Sequence, residues 1–413
     1  MPMVRDDSQF GQVLAMVHGI KERSPFYADK FGDIDTSSIM TKEDFENLPF
    51  TEKADLRNAY PLGLAAVPEE RIVRIHSSSG TTGTPVVIPY TQKDVDDWAD
   101  MFVRCYRMAG IDEKDRIQIT PGYGLWTAGI GFQNGCERLG AMAVPMGPGN
   151  TEKQLRMMQD MGSTVICSTS SYALLLAEEV RKRDIRGKIK LHTGIIGSEF
   201  WGIKTRETIC ENLGIDVYDI YGLTEIYGPG IGIDCKYHNG IHLWDDYIYC
   251  EIIDPVTGEV LPEGEKGELV ITTFRKEGAP LVRYRTHDLT RFIPGKCPCG
   301  CDCTRIDRVS GRTDDMFKVK AVNMFPAQFE EVISSTDGTT GEFLIVISTV
   351  SGRDSIELFV ETEIPEDRRD DLVRSLIDSV RSRIGVSVDV AAVDVGSLPR
   401  SEKKTARVID RRD

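Results

Sequence analysis

From Arg71 to Tyr221, short β-branched runs alternate with longer amphipathic stretches. The first fifty residues read as helices, with apolar positions at helical spacing at Phe10, Val13, Met16, Val17 and Ile20. Strands are predicted at residues 73–76, 86–88, 116–119, 141–144, 164–167 and 194–196, and helices at residues 93–109, 151–161, 171–182 and 204–212. Strands that alternate with helices of this length predict parallel sheets in an α/β layer structure.

Beyond Tyr221 the pattern changes twice. Short strands separated by turn residues, at 247–253, 267–273 and 281–285, predict an antiparallel sheet or small barrel added to the α/β body. A compact α+β pattern follows, with helices at 326–335 and 365–384 and strands at 342–348, 355–360 and 386–393. The Gly/Asp-rich stretch at 311–315 suits a hinge. We therefore predict a large N-terminal domain over residues 1–312, β-rich at about 230–310, and a small mobile C-terminal domain over residues 313–413.

Composition narrows the class of partner. The 413 residues carry a formal net charge of −15, which argues against nucleic acid or an anionic membrane as the main partner. No apolar run approaches the roughly 18 residues that a membrane span needs. The first ten residues carry Arg5, Asp6 and Asp7 and lack an apolar core, so no secretory signal is predicted and the cytoplasm is the expected compartment.

A dense Ser/Thr/Gly loop follows the strand predicted at residues 73–76. Glycine lets the backbone turn tightly and point its N–H groups at phosphate oxygens, and the flanking hydroxyls add further donors. No lysine follows, so this is not the phosphate loop with the G-x-x-x-x-G-K-[ST] pattern. The predicted phosphate-binding residues are Ser78, Ser79, Gly80, Thr81, Thr82 and Gly83.

This loop, followed by Pro85, resembles the phosphate-binding signature of the adenylate-forming superfamily, which includes acyl-CoA synthetases, peptide-synthetase adenylation domains and luciferases. The chain is similar in particular to the phenylacetate–CoA ligase branch, from about Leu48 to the C-terminus. The further motifs that carry the resemblance lie at residues 122–125, 149–151, 221–225, 283–288 and 311–316.

The resemblance implies an ATP site with Mg²⁺. It places Tyr221 on the adenine ring, Thr224 near the α-phosphate and Glu225 on Mg²⁺, which prefers hard oxygen ligands beside phosphates. Asp288 resembles the aspartate that accepts both ribose hydroxyls. The other implied nucleotide-binding residues are Ser198, Glu199 and Phe200, as the second wall of the adenine slot, with Asp219 and Gly222.

Cationic groups are also implied by the resemblance, because adenylation builds negative charge at the α-phosphorus. Arg312 and Lys404 match the family positions, although the glycine that usually precedes the lysine is Lys403 here. The resemblance implies that acyl-AMP forms first, that the C-terminal domain then swings about Asp314, and that coenzyme A attacks the mixed anhydride.

The acid pocket is expected around Tyr123, Gly124 and Trp126. Pro121 and Trp126 differ from the residues that relatives have at these positions, so the identity of the acid stays open. Ala321 also differs from the family pattern, so coenzyme A is not fixed as the acyl acceptor.

Clustered cysteines point to a metal site. Cys235, His242, Cys297 and Cys299 have the ligand types of a tetrahedral Cys₃His zinc site, in which four protein ligands leave no position for catalysis. Relatives show a similar pattern, which implies structural zinc. His238, Cys301 and Cys303 compete as ligands, and the cysteine run also permits another metal or a redox role. The other five cysteines are expected to be buried reduced thiols.

Three functions stay open at this point. The first is an aryl- or arylacetate–CoA ligase, the second an adenylyltransferase of the same branch that keeps AMP on its product, as coenzyme F390 synthetases do. The third is an inactive nucleotide- and zinc-binding module, against which the intact set Thr224, Glu225, Asp288 and Lys404 speaks. Relatives are often dimers, so the resemblance also implies a homodimer.

Overall fold

The computed structural model describes residues 7–78, 84–125, 127–199, 201–319, 322–350, 353–399 and 407–412. Within these ranges the helices are α1 (Asp7–His18), α2 (Ile20–Arg23), α3 (Pro25–Phe31), α4 (Lys42–Glu46), α5 (Lys53–Asn58), α6 (Gln92–Met108), α7 (Ala128–Leu139), α8 (Thr151–Asp160), α9 (Ser170–Lys182), α10 (Ile203–Leu213), α11 (Pro326–Ser334) and α12 (Asp370–Arg383). In that part of the chain, no helix is both long enough and apolar enough to cross a membrane.

The strands of the same ranges are β1 (Arg74–Ser77), β2 (Val87–Tyr90), β3 (Arg116–Ile119), β4 (Met142–Pro145), β5 (Val165–Thr169), β6 (Thr193–Gly197), β7 (Asp216–Leu223), β8 (Gly228–Asp234), β9 (Ile241–Leu243), β10 (Ile248–Ile253), β11 (Gly267–Thr273), β12 (Tyr284–Thr290), β13 (Arg305–Ile306), β14 (Phe317–Val319), β15 (Val322–Met324), β16 (Thr339–Val350), β17 (Arg353–Thr362), β18 (Asp389–Asp394) and β19 (Val408–Asp410). The mixture of helices with parallel and antiparallel strands agrees with the predicted α/β class.

The chain forms two compact units, and the first comprises Met1–Gly147, Ser163–Cys167 and Tyr218–Arg308. In it, β3 pairs in parallel with β4 and β5, so that Ile117 lies opposite Ala143 and Val165. Antiparallel pairs join β7 to β8, β8 to β9 and β9 to β13. A separate antiparallel sheet has the order β10-β11-β12. The predicted antiparallel addition is therefore present.

Two cores stabilise this first unit. The apolar positions of α1 pack with α3 and α4 against residues of the β10-β11-β12 region, among them Tyr249, Phe274 and Val282. On the other side, α6 presents Trp98 and Phe102 to α7. A Cβ added at Gly131 would lie 2.4 Å from the Trp98 ring, and one at Gly135 would lie 2.2 Å from Phe102 Cβ. The two helices can therefore approach only because α7 carries glycine at both contacts.

The second compact unit comprises Pro148–Gly162, Ser168–Val217 and Val309–Asp413. Its four-stranded sheet has the order β18-β17-β16-β19 and shares an apolar core with α11 and α12. Helix α10 is tied to this region by Lys204, whose ammonium donates to the Thr336 carbonyl at 2.6 Å and to Thr339 Oγ1 at 2.7 Å. The division of the chain at residues 312 and 313 stays a prediction.

Several elements differ from the sequence prediction. The strand expected at 281–285 begins only at Tyr284, because Arg283 has a left-handed φ of 47° that interrupts extended backbone. The helix expected at 365–384 begins at Asp370, after a 3₁₀ turn. The elements that were not predicted at all are α5, α7, β7, β8, β9, β13, β14, β15 and β19. The other predicted strands and helices are present within a few residues of their expected ends.

Candidate active site

The hairpin β1–β2 fixes both ends of the predicted phosphate loop. Ser77 N donates to the Leu125 carbonyl at 2.8 Å, and Ser78 N donates to the Val86 carbonyl at 3.1 Å. Ser78 Oγ in turn accepts from Val86 N at 3.3 Å. Of the predicted loop residues, Ser78 therefore lies directly after β1, where it is hydrogen-bonded to Val86 just before β2. Residues 79–83, the rest of that prediction, lie outside the described residues.

Tyr221 and Asp288 meet although they come from different sheets. Tyr221 lies on β7 and Asp288 on β12, and both side chains are buried. The Tyr221 hydroxyl donates to Asp288 Oδ2 at 2.6 Å, and Asp288 N donates to Thr286 Oγ1 at 3.1 Å. A short O–H···O⁻ bond of this kind is charge-assisted, so it fixes the orientation of the carboxylate.

Thr224 and Glu225 lie on a tight turn between β7 and β8, closed by a hydrogen bond from Ile226 N to the Leu223 carbonyl at 3.1 Å. A Cβ at Gly222 would lie 2.0 Å from the Gly228 carbonyl oxygen, so the strands can converge only with glycine there. Thr224 Oγ1 lies 3.4 Å from Thr127 Oγ1 at the start of α7. The turn thus carries its two polar side chains on a rigid backbone.

The Glu225 carboxylate fits a magnesium ligand. It is 4% exposed, and its Oε1 has no hydrogen bond within the described residues, although the Lys53 ammonium lies 3.3 Å away. A buried oxygen that lacks a hydrogen-bond donor is costly unless something else satisfies it. One protein carboxylate beside substrate phosphates is a usual arrangement for Mg²⁺, which retains several waters.

Asp219 lies on β7, two residues before Tyr221, and is engaged by the protein itself. Its Oδ2 lies 3.3 Å from Arg308 Nε, and its backbone N donates to Asp234 Oδ1 at 2.9 Å. These contacts use Asp219 to hold β7 against its neighbours. The predicted contact of Asp219 with the nucleotide therefore stays a prediction.

Tyr123 and Gly124 follow β3, where the acid pocket was expected. The ring of Tyr123 lies against Gly129, at which an added Cβ would be 2.9 Å from Tyr123 Cδ2, and Gly124 has a φ of 94°. The Tyr123 hydroxyl is buried without a hydrogen-bond partner among the described residues, and burial raises the pKa of this phenol. A protonated donor is thus held in an apolar setting. Trp126, the third predicted pocket residue, lies outside the described residues.

The second compact unit carries the remaining predicted residues. Ser198 has a φ of 73°, and Glu199 accepts hydrogen bonds from Ser170 Oγ and Ser171 N, both at 2.9 Å, at the start of α9. Arg312 forms two hydrogen bonds with Asp314, at 2.7 and 2.8 Å. The charge of Arg312 is therefore already paired within its own segment. Phe200 and Lys404 lie outside the described residues.

The four predicted zinc ligands do come together. The ligand atoms of Cys235, His242, Cys297 and Cys299 all lie within 4.8 Å of one another. The sulfurs of Cys235 and Cys297 are 3.6 Å apart, and Cys299 Sγ is 3.5 Å from His242 Nε2. Tetrahedral bonds of about 2.3 Å to sulfur give ligand separations of about 3.8 Å, so the set fits zinc.

The competing ligands differ from one another, and the thiol of Cys301 also interacts with His242. His238 Nδ1 lies 2.9 Å from Asp234 Oδ2, and that contact occupies one of its two ring nitrogens. Cys301 N donates to Cys299 Sγ at 3.4 Å, and Cys303 N donates to Cys301 Sγ at 3.5 Å. Donors of this kind stabilise a thiolate, so the backbone after Cys299 supports that residue as a ligand.

Comparison with known proteins identifies the class. Residues 23–274 match the family model of AMP-binding enzymes, and residues 321–412 match that of the AMP-binding enzyme C-terminal domain. The chain therefore belongs to the adenylate-forming, AMP-binding enzymes. It is 42% identical over 397 residues to phenylacetate-coenzyme A ligase of Pseudomonas putida. The matched region covers 94% of this chain and 90% of that protein. It is 41% identical over 403 residues to the enzyme of the same name from Escherichia coli (strain K12), with coverages of 95% and 91%. The predicted resemblance to the phenylacetate–CoA ligase branch is confirmed.

Solved structures agree with this class. The chain matches 2-hydroxyisobutyryl-CoA ligase in the postadenylation state, in complex with R3-HIB-AMP, with a TM-score of 0.89, 27% identity and coverages of 99% and 90%. It matches the same ligase in complex with 2-HIB-AMP and CoA, in the thioesterification state, with a TM-score of 0.72, 28% identity and coverages of 100% and 91%. The predicted fold, with a large N-terminal and a small C-terminal domain, is confirmed.

Three contacts at the Thr224–Glu225 turn were not anticipated from the sequence: those of Lys53, Thr127 and Lys276. Lys53 lies beside Glu225, Thr127 beside Thr224, and Lys276 donates to the carbonyl of Ile226. Each contact joins residues that are far apart in the chain. A lysine or threonine alone gives no signal of such a partner, so only the fold could reveal these contacts.

Proposed function

We propose that the protein is an AMP-forming acid–CoA ligase. It activates an aromatic, arylacetate-like carboxylic acid with ATP and transfers the acyl group to coenzyme A, releasing AMP and pyrophosphate. The observation that carries this proposal is the buried contact between Tyr221, on the strand β7 that leads into the Thr224–Glu225 turn, and Asp288 on β12. The names and high coverage of the relatives support the same reaction.

Separate residues bind the ribose, the adenine, the α-phosphate and the metal ion during adenylation. Asp288, oriented by Tyr221, accepts the ribose hydroxyls, and the ring of Tyr221 stacks on adenine. Thr224 donates to the α-phosphate, while Glu225 holds Mg²⁺, which neutralises phosphate charge when it is bound. The carboxylate of the acid attacks the α-phosphorus and pyrophosphate leaves, so no covalent protein nucleophile is needed.

Cationic side chains act in the adenylation step, and the rotation of the C-terminal domain then removes Lys404 before the thioester forms. Arg312 and Lys404 stabilise the negative charge that grows on the phosphoryl oxygens in the transition state. Residues 313–413 then turn about Asp314, and the thiol of coenzyme A attacks the acyl carbon. The tetrahedral centre collapses and AMP leaves as the thioester forms. The loop at residues 78–83 grips the phosphates through its backbone N–H groups and hydroxyls.

The cysteine cluster completes the proposal as a structural zinc site. Its support is the close approach of Cys235, His242, Cys297 and Cys299, three of which are buried. Four protein ligands close the coordination shell, so the metal stabilises the turns around β9 and β13 and takes no part in catalysis. A homodimer and a cytoplasmic location stay predictions.

The decisive experiment measures pyrophosphate release with aromatic, aliphatic and deazaflavin substrates, each with and without coenzyme A. We expect turnover with arylacetates, release of AMP only when coenzyme A is present, and loss of activity in Glu225→Gln. AMP retained on the product, with no effect of coenzyme A, would instead support an adenylyltransferase. Absence of acid-dependent pyrophosphate release across the whole panel would instead support an inactive nucleotide-binding module.

A further inference from the structure

Lys276 is a buried lysine for which the proposed reaction has no role. Its side chain lies in the segment between β11 and β12 and is 2% exposed. The ammonium lies 4.2 Å from the centroid of the Tyr90 ring and 4.7 Å from that of Tyr227. Between these rings it donates to the backbone carbonyl of Ile226. Lysine is almost never fully buried unless it is paired, so this placement calls for a reason.

The backbone on either side of this contact is fixed. After Lys276, the N–H groups of Glu277 and Gly278 donate to the two oxygens of Asp94, each at 2.8 Å, and Asp94 is completely buried. A Cβ at Gly278 would lie 2.5 Å from the Pro89 carbonyl oxygen, so the segment is pressed against β2. The side chain of Lys276 therefore starts from an anchored backbone.

The target of Lys276 is the turn that carries the proposed metal ligand. Ile226 is completely buried and directly follows Glu225, and its N–H closes the turn onto the Leu223 carbonyl. The bond from Lys276 holds the same residue through its carbonyl group. The backbone N–H and the backbone carbonyl of Ile226 are thus both hydrogen-bonded. Because Ile226 directly follows Glu225, the backbone of Glu225 has little freedom to rotate.

We infer that Lys276 is a positioning residue that holds the Thr224–Glu225 turn in place for the binding of Mg²⁺ with ATP. The inference rests on the proposed function, because it takes Glu225 as the magnesium ligand. It does not depend on the charge of the lysine. Burial lowers the pKa of Lys276 to about 7, with Asp94 and Glu225 opposing the shift, and the amine donates a hydrogen bond in either state.

The test is a calorimetric titration of Lys276→Met with α,β-methylene-ATP, once in Mg²⁺ and once in EDTA. Loss of a residue that orients a metal ligand typically weakens metal affinity by about 10- to 100-fold. We expect binding to weaken about tenfold in Mg²⁺ and clearly less in EDTA, where only the contact of Thr224 with the α-phosphate is affected. Unchanged binding in Mg²⁺, or an equal loss in both media, would overturn the inference, because a merely structural role would not distinguish the media.

Lys93→Met is the matched control. Lys93 donates to the neighbouring Arg275 carbonyl at 3.2 Å and pairs with Asp97, but its contacts among the described residues do not include Ile226. It should bind the nucleotide as the wild type does in both media. A loss in Lys93→Met equal to that in Lys276→Met would show that any loosening of this segment has the same effect, and would overturn the inference.

A second pair of variants keeps the test decisive if Lys276→Met does not fold. Tyr90→Phe keeps the ring against the ammonium, whereas Tyr90→Leu removes it. We expect the Mg²⁺-specific loss in Tyr90→Leu only, and identical titrations of the two variants would overturn the inference. The titration needs no acid, so failure of the acid panel is a separate result. A wild type that gains nothing from Mg²⁺ would overturn the role of Glu225 and this inference together.

Discussion

The substitution Tyr221→Phe isolates one hydrogen bond at the proposed nucleotide site. It keeps the aromatic ring and removes only the hydroxyl that donates to Asp288 Oδ2 at 2.6 Å. A hydrogen bond to a charged group contributes about 1.5–3 kcal/mol, and each 1.4 kcal/mol is tenfold in affinity. Water can partly replace the lost donor, so we expect the lower end of that range, an increase of about tenfold in the KM for ATP. The value of kcat at saturating ATP should change little, because ribose contacts act equally in ground and transition states.

The assay is ATP–pyrophosphate exchange at varied ATP and a fixed, saturating acid. Tyr60→Phe is the control, because the Tyr60 side chain is 52% exposed and lies outside the proposed site. Melting temperatures of both variants should match the wild type within a few degrees. A KM for ATP that stays at the wild-type value would refute the reasoning, and so would a fall in kcat with KM unchanged.

Three further predictions concern the cation, a buried ion pair and the metal. Lys404→Ala should abolish most adenylation but leave thioester formation from supplied acyl-AMP largely intact; equal loss in both half-reactions, each followed by product chromatography, would contradict its role. Glu251→Ala leaves Arg283, which is 1% exposed and donates to Glu251 Oε1 at 2.9 Å, without its counter-charge. That change should cost about 3–5 kcal/mol and lower the melting temperature in calorimetry by roughly 4–6 °C, and a shift of under about 2 °C would contradict it. Metal analysis should find about one zinc per chain. Its removal by a chelator should lower the melting temperature before it changes the chemistry, and a metal-free protein with unchanged melting would argue against a structural site.

Helix α7 was not predicted because the pattern of the local sequence does not determine it. Gly129, Gly131 and Gly135 lower intrinsic helix propensity by about 1 kcal/mol each, so no helix was predicted there. The structure gives the reason for all three: Trp98 and Phe102 of α6 occupy the space that a Cβ at Gly131 or Gly135 would fill, and a Cβ at Gly129 would lie 2.6 Å from the Gly122 carbonyl oxygen. Tertiary packing therefore overrides the local preference, and no window of sequence around α7 contains Trp98 or Phe102.

In the candidate site, too, local motifs could be predicted from the sequence, whereas contacts between distant segments could not. Motifs such as residues 221–225 and 283–288 could be recognised because each is contiguous, and the resemblance supplied their expected roles. The contact between Tyr221 and Asp288 spans 67 positions, and that between Lys276 and Ile226 spans 50. Such contacts follow from how β7 and the β11–β12 connection pack, so residue types alone could not predict them. The cysteine cluster was predictable because its ligand types are few and specific.

The stretch from Lys276 to Asp288 explains how one connection can serve several parts of the proposed site. It sends Lys276 to the Ile226 carbonyl, Arg283 to Glu251 and Asp288 to the Tyr221 hydroxyl. Each is a buried polar group, which is costly unless its partner is present in good geometry. An arrangement that satisfied only one of these groups would leave the others buried without partners. The stretch therefore has few alternative conformations, and the same packing fixes the turn that carries Glu225 and the carboxylate assigned to ribose.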